Sequence, residues 1–369
     1  MNYTELAPSY IRAIAPYQPG KPIPELAREF GLDPATIVKL ASNENPLGAS
    51  PRAIAAMHEA IASIALYPDG NGFDLKSALS QRYAVELTNV VLGNGSNDIL
   101  ELIAHAFLAP GDKAVFSDHA FAVYPLATQA VGATGISTKA KNYGHDLQAM
   151  LAAAIEHRSK VVFIANPNNP TGTYIGEVEM LAFLRALPKD ILVVLDEAYN
   201  EYLPEEYRYD SVGYLKDFPN LIISRTFSKA YGLAGLRVGY AIAHEQVADM
   251  LNRVRQPFNV NSVAQAAAVA ALQDKEFVRQ TFLLNQSGMA QVTNGLRKLG
   301  LLHIPSLGNF VSFKVAGAGD IFRRLLQLGV IVRPVANYAM PDFLRVSIGT
   351  EQENARFLSA LEQAIGESK

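Results

Sequence analysis

Short runs of apolar, largely β-branched residues punctuate the first two thirds of the chain. Between them lie longer stretches whose apolar positions recur three and four residues apart. Val90-Val91-Leu92, Lys113-Ala114-Val115-Phe116, Val161-Val162-Phe163-Ile164, Ile191-Leu192-Val193-Val194-Leu195 and Leu221-Ile222-Ile223 read as strands. Ser96 caps a helix whose Ile99, Leu100, Ile103, Ala106 and Phe107 share one face. Asp146 caps a second helix through Ile155, and residues 177–187 make a third. Strands that are apolar on both sides and separated by helices, as over residues 40–244, indicate a parallel sheet covered on both faces.

The last third has a different rhythm. Helical stretches at 261–272 and 276–299 precede strands at 309–315, 330–335 and 343–348, and a helix at 352–365 closes the chain. The expected organisation is an α/β architecture: an N-terminal arm (1–37), a large domain (38–254) with a mostly parallel central sheet sandwiched by helices, and a smaller α+β domain (255–369). The arm contains Ala15-Pro16-Tyr17-Gln18-Pro19-Gly20-Lys21-Pro22, where each proline disfavours helix before it. Tyr3, Tyr10 and Tyr17 favour an arm that packs, because disordered segments are poor in aromatics.

Composition narrows the function. The chain has 369 residues, 49% hydrophobic and 18% charged, with a net charge of −3, so no basic excess is present to bind nucleic acid. It has no cysteine, which removes disulfides, thiolate catalysis and cysteine-held metals. The seven histidines show no paired metal spacing, so no metal is expected. No apolar run approaches a membrane span, and Met1-Asn2-Tyr3-Thr4-Glu5-Leu6 is not a basic start followed by an apolar run; a cytoplasmic protein is expected.

Ligands of open parallel sheets bind beyond the carboxyl ends of the strands. Four polar clusters follow four of the strands here. Gly95, Ser96 and Asn97 open a helix and present free backbone N–H groups, a seat for phosphate. Asn166-Pro167-Asn168-Asn169-Pro170-Thr171-Gly172 follows the third strand, Asp196-Glu197-Ala198-Tyr199 the fourth, and Thr226-Phe227-Ser228-Lys229 the fifth. Thr226, Ser228 and Arg237 could complete the phosphate seat. Asp196, at the end of a buried strand, needs a cationic partner or strong donors to remain ionised, and a protonated pyridine nitrogen would serve. Asn169 and Tyr199 can donate to a phenolate oxygen. Lys229, near a second cation and away from bulk water, can act as a nucleophile towards an aldehyde. Phosphate, pyridinium, phenolate and aldehyde are the four handles of pyridoxal 5'-phosphate, a cofactor that takes a Schiff-base lysine and an acidic partner for its ring nitrogen.

Other readings of these residues lack a part. Asp196-Glu197 resembles the Mg²⁺-binding strand end of a nucleotidase, but the chain has no Gly-x-x-x-x-Gly-Lys-Ser/Thr loop. Gly93-x-Gly95-x-x-Asp98 misses the third glycine of a dinucleotide fingerprint. A non-catalytic module would have no use for Lys229, Asp196 and Arg237 together.

In this order the motifs resemble the fold-type I pyridoxal-phosphate aminotransferases over nearly the whole chain. The strongest are Asn168-Asn169-Pro170-Thr171-Gly172, Asp196-Glu197-Ala198-Tyr199 and Ser228-Lys229-x-x-x-Leu233-Ala234-Gly235-Leu236-Arg237-x-Gly239. Pro16-Tyr17-Gln18-Pro19-Gly20-Lys21, Ser42-Asn43-Glu44-Asn45-Pro46-Leu47-Gly48 and Phe343-Leu344-Arg345-Val346-Ser347-Ile348-Gly349-Thr350 are most similar to the histidinol-phosphate branch of that family.

The resemblance implies roles. Lys229 carries the cofactor and moves the proton, Asp196 holds the ring nitrogen protonated, and Asn169 and Tyr199 bind the phenolic oxygen. Gly95, Ser96, Asn97, Thr226, Ser228 and Arg237 surround the phosphate. Phe121 stands where the family usually has a stacking tyrosine, which keeps the stacking and loses a hydroxyl. Tyr67 corresponds to a residue that reaches the neighbouring subunit's cofactor, implying a homodimer with a shared site. Tyr17, Asn45 and Arg345 correspond to substrate-binding positions. The implied activity is transamination of histidinol phosphate with 2-oxoglutarate. Aromatic amino acid transamination, or decarboxylation of a phosphorylated amino acid, are activities of relatives with the same lysine and aspartate.

Overall fold

The computed structural model describes residues 2–17 and 20–366; Gln18 and Pro19 of the proline-rich arm lie outside the described residues. The first strand, β1 (Val38–Lys39), is short. β2 (Val90–Gly93), β3 (Lys113–Ser117), β4 (Thr134–Thr138), β5 (Val161–Ala165), β6 (Leu192–Asp196), β7 (Leu221–Thr226) and β8 (Gly239–Ala243) form one sheet in the order β2-β8-β7-β6-β5-β3-β4. β8 is antiparallel to both its neighbours, so β2 to β7 all run one way and β8 alone runs against them.

Successive side chains of a strand point to opposite faces. Val193 and Leu195 therefore enter one apolar core and Val194 the other. On the first face Met150, Met180 and Ala264 pack from helices Leu147–Glu156, Glu177–Ala186 and Ser262–Gln273. On the second, Ile99, Tyr124 and Leu251 pack from Ser96–Phe107, Val123–Ala130 and Glu245–Val254. The mostly parallel sheet sandwiched by helices is thus as the strand pattern predicts.

Two strands escape the pattern. β4 is a mostly exposed edge strand of sequence Thr-Gly-Ile-Ser-Thr, with too little apolar content to register. β8 follows β7 without a crossover helix, and a short connection of this kind obliges the antiparallel direction. Thr226 pairs with Gly239, which closes residues 227–238 into a loop at the sheet edge. Lys229 and Arg237 are both in that loop.

The smaller sheet contains β9 (Phe310–Lys314), β11 (Arg333–Pro334) and β12 (Phe343–Ser347), antiparallel in the order β11-β12-β9. β10 (Val330–Ile331) instead pairs in parallel with β1. The stretch expected as one strand over 330–335 is thus two, which serve different partners. Core membership also departs from the sequence division at both edges. Leu40 packs among Val311, Leu344 and Val346 of the small domain, whereas Val260, Ala264, Ala267, Ala268 and Ala271 belong to the core of the large sheet.

Candidate active site

β2, β5, β6 and β7 all end at one edge of the sheet, and their polar clusters converge there on a cavity of about 200 Å³. Lys229, Asp196, Tyr199, Asn169, Ser96, Asn97, Thr226, Ser228 and Arg237 all line it, with Phe121, Tyr17 and Arg345.

Lys229 is partly buried, and its Nζ donates to the Ser42 carbonyl at 2.9 Å. Burial first, and then the Arg345 charge, push the amine down to about 7; Glu44 pulls the other way, and Arg237 adds a smaller push downward. Asp196 is the last residue of β6. Burial pushes its carboxyl up to about 6, opposed by the hydroxyl of Tyr124, which donates to Oδ2 at 2.9 Å. Its Oδ1 has no hydrogen-bond partner among the described residues. A buried carboxylate oxygen in this state calls for a donor, ideally a cationic one.

The next residue, Glu197, points to the other side. Its Oε2 pairs with Arg225 Nη2 at 2.7 Å and accepts from Ser211 Oγ at 3.0 Å. The two acids are therefore not a paired metal site. Among the described residues no group of three or more His, Asp or Glu side chains is placed to hold a metal.

The opposite end of the cavity is cationic. Arg237, in a left-handed conformation (φ 56°), donates from Nη1 to Ser228 Oγ at 3.1 Å and to the Ala234 carbonyl at 3.2 Å. Thr226 Oγ1 accepts from the Ser228 N–H at 3.1 Å. Ser96 and Asn97 begin the helix Ser96–Phe107, whose N-terminus adds unpaired N–H groups. Gly95 does not itself line the cavity, yet it has φ 89° and an added Cβ would stand 2.3 Å from Arg237 Nη2. Gly95→Ala should therefore displace the guanidinium. With one charge-assisted hydrogen bond weakened, affinity for a phosphate-bearing cofactor should fall about tenfold or more. Titration of the cofactor-free variant would measure it; unchanged affinity would show that Arg237 is not part of the seat.

Asn169 Oδ1 accepts from Arg345 Nη1 at 2.5 Å, which leaves the Asn169 amide NH₂ as the donor for the cavity. The Tyr199 hydroxyl accepts from Asn43 Nδ2 at 2.9 Å. Arg345 also donates from Nη2 to the Ala41 carbonyl at 2.7 Å and lies 5.3 Å over the Phe310 ring. Phe121 stands edge-on to Tyr124.

Besides Gly95, the expected site residues that do not line this cavity are Asn45 and Tyr67, the latter expected at the neighbouring subunit's cofactor. Asn45 turns away from the cavity: Nδ2 donates to the Ala230 carbonyl and to Thr281 Oγ1, both at 2.9 Å, while Oδ1 accepts from the Leu47 N–H. Asn43, two residues earlier, occupies the wall instead. Tyr67 is 83% exposed and stacks on Phe258 rather than entering its own chain's cavity.

Sequence reasoning also overlooked residues. Arg333 lines the cavity, pairs directly across β11 and β12 with Arg345, and lies 5.4 Å over the Tyr17 ring. The signal that could have found it is an arginine within an apolar strand, here residues 330–335. Tyr124 had no such signal, since an aromatic residue on an apolar helix face looks like any core residue.

The chain matches the family described as aminotransferase class I and II over residues 35–361. It is 62% identical over 361 residues to a histidinol-phosphate aminotransferase of Methylobacillus flagellatus, covering 98% of each chain. It is 60% identical over 366 residues to histidinol-phosphate aminotransferase 2 of Nitrosospira multiformis, covering 99% of this chain and 93% of the relative. Among solved structures, the histidinol-phosphate aminotransferase of Sinorhizobium meliloti in complex with pyridoxal-5'-phosphate superposes with a TM-score of 0.89 at 28% identity, covering 98% of each chain.

The cavity wall suits that cofactor on its own terms. The unpartnered Asp196 Oδ1 can accept from a ring N–H, Asn169 offers a free amide donor, and the Gly95 approach leaves Arg237 where a phosphate would meet it. With sequence, architecture and cavity chemistry in agreement, the chain belongs to the class I and II aminotransferases, in the histidinol-phosphate aminotransferase branch, as a fold-type I enzyme dependent on pyridoxal phosphate.

Proposed function

We propose that the chain transaminates L-histidinol phosphate with 2-oxoglutarate, forming imidazole acetol phosphate and glutamate, as a cytoplasmic homodimer serving histidine biosynthesis. One observation carries the substrate reading beyond the family likeness. Arg333 and Arg345 are both buried, lie directly opposite each other on adjacent strands and line the same cavity. Like charges so placed repel, and a dianion between them relieves that repulsion. The phosphate of the amino donor and the carboxylates of the acceptor are both suited to guanidinium forks, so one pair can serve both half-reactions.

Bound pyridoxal phosphate supplies an electron-accepting pyridinium ring that delocalises the charge left when the substrate C–H bond breaks. This chain's residues do the rest. Lys229 would hold the cofactor covalently at rest. Its Nζ, lowered to about 7 in the cofactor-free chain, would take the proton from the substrate carbon and deliver it to the cofactor carbon across the amine nitrogen. Asp196 keeps the ring nitrogen protonated through Oδ1, while Tyr124 occupies Oδ2. Asn169 and Tyr199 donate to the phenolic oxygen. Ser96, Asn97, Thr226, Ser228 and Arg237 anchor the phosphate, and Phe121 stacks on the ring. Tyr17 covers the substrate from the arm.

Ile61, Ile64, Leu66, Tyr67 and Phe73 give residues 61–73 a strip of sequence with five exposed large apolar side chains outside the site. A second copy of the chain is the natural cover for such a strip, and it would bring Tyr67 to its partner's phosphate. Among the described residues no helix is long and apolar enough to cross a membrane.

The substrate assignment is tested by mixing the yellow protein separately with histidinol phosphate, glutamate and phenylalanine and following the bleaching of its absorbance in single turnover. Fast bleaching by the first two and bleaching at least about tenfold slower by phenylalanine is expected, as for a site built around a second anion. Equal rates with phenylalanine would instead make the enzyme an aromatic aminotransferase.

A further inference from the structure

Asn43 is 1% exposed and adopts a left-handed backbone (φ 55°) between the two domains. Each of its polar groups is engaged. Its N–H donates to Ser347 Oγ at 2.8 Å, and its carbonyl accepts from Asn309 Nδ2 at 3.0 Å. Its side-chain Oδ1 accepts from Ser347 Oγ at 3.0 Å, and Nδ2 donates to the Tyr199 hydroxyl at 2.9 Å. Ser347 ends β12 and Asn309 precedes β9, so three of these bonds come from the small domain. The fourth reaches Tyr199, just beyond β6 of the large sheet.

These bonds fix one another's direction. The Ser347 oxygen accepts from the Asn43 backbone, and its hydroxyl proton needs an acceptor; among the described residues the one in reach is the Asn43 side chain. The atom receiving that proton must be the amide oxygen, which turns the amide NH₂ towards Tyr199. A hydroxyl has one proton and two acceptor positions. Tyr199 accepts from Asn43, and Asn43 offers nothing that could take the Tyr199 proton in return. We propose that Ser347 and Asn43 act as positioning residues that aim the Tyr199 hydroxyl proton into the cavity, so that a small-domain strand sets the polarity of a hydrogen-bond donor belonging to the large domain. The ligand group this donor suits is an anionic oxygen. The inference rests on the reading of Tyr199 as the donor to the cofactor's phenolic oxygen, and adds what orients it.

The charged and titratable groups facing Tyr199 include Arg345, Asp196, Tyr338, Tyr202 and Tyr124, with Lys229 Nζ 5.9 Å from its ring. None of them is altered in the test. The holoenzyme's Lys229-bound chromophore changes absorbance with pH, and a donor to its phenolic oxygen lowers the pH of that change. The midpoint is to be measured in Tyr199→Phe, Ser347→Ala, Asn43→Asp and the two double variants that combine each of the latter with Tyr199→Phe. Tyr199→Phe should raise the midpoint by about one pH unit.

Ser347→Ala frees the Asn43 amide to reverse, and Asn43→Asp replaces the donor with a carboxylate that takes the Tyr199 proton. Both should raise the midpoint when Tyr199 is present. In the Tyr199→Phe background Ser347→Ala should have no effect, and Asn43→Asp should retain only the smaller effect of its charge. Asn43→Asp provides the same comparison where Ser347→Ala does not fold. Equal shifts in both backgrounds would assign a merely structural role and overturn the proposal. So would an unmoved midpoint in Ser347→Ala and Asn43→Asp when Tyr199→Phe does shift it. No shift in Tyr199→Phe itself would remove the donor, overturning the reading of Tyr199 together with the inference drawn from it.

Discussion

Lys229→Ala should lower turnover by at least about 10⁴-fold, because one substitution removes both the nucleophile and the group that moves the substrate proton. The fold should survive: among the described residues the side chain makes a single hydrogen bond, to the Ser42 carbonyl, and alanine leaves no buried charge behind. Borohydride reduction of the wild-type holoenzyme should fix the cofactor to the chain, a mass increase that peptide mapping would place at Lys229. The variant should show none, and near-normal turnover by it would sink the assignment.

The same amine gives a pH dependence with a definite sign. A lysine is nucleophilic only after losing its proton. Burial together with the Arg345 and Arg237 charges lowers that pKa from 10.5 to about 7. Capture of pyridoxal phosphate by the cofactor-free enzyme should thus accelerate as pH rises through about 7 and level off above it. A rate still climbing towards pH 10 would mean that Lys229 is solvated in the free enzyme.

Asp196→Asn is the second large effect. The amide keeps the shape of the carboxylate and can still accept from the Tyr124 hydroxyl, but it carries no charge to hold a ring nitrogen protonated. Loss of one preorganised electrostatic contact at a reacting system lowers kcat by about 10²–10³-fold, and here the contact governs the whole electron sink. A loss of about 10³-fold in kcat is expected, with cofactor retained through its phosphate seat. The comparison of kcat with cofactor affinity is decisive. A fall in affinity with kcat preserved at saturating cofactor would make Asp196 a binding residue and not an electronic one.

What was legible in the chain follows from how each feature is encoded. The buried strands of the central sheet announce themselves because both their faces are apolar. The four clusters at their ends could be aimed at one edge once the strands were taken as parallel. β8 was hidden because its direction depends on the absence of a crossover helix and not on its own residues. Asn43 and Asn45 present the sequence with the same side chain in the same turn. Only the positive φ at Asn43 and the Ala230 and Thr281 acceptors around Asn45 decide which faces the cavity. Arg333 carried the signal of an arginine within an apolar strand, but its pairing with Arg345 is a fact of register. Tyr124 had no sequence signature at all; its hydroxyl acquires meaning from the single carboxylate oxygen it meets.

The pairing of β1 with β10 has a consequence for how the enzyme is made. Val38 meets Val330 in that ladder, a separation of 330 − 38 = 292 residues. At roughly 5–20 residues per second, a ribosome takes about 15–60 s to bridge such a gap. Throughout that interval the large sheet can acquire its strands, while β1 has no sheet partner and Tyr17 lacks the Arg333 guanidinium that lies over it; the arm can lean on helix Val123–Ala130, through Tyr10. The entrance to the cavity is consequently the last part of the nascent protein to close. Cofactor present in the cell during translation would meet an open phosphate seat well before the molecule can enclose a substrate.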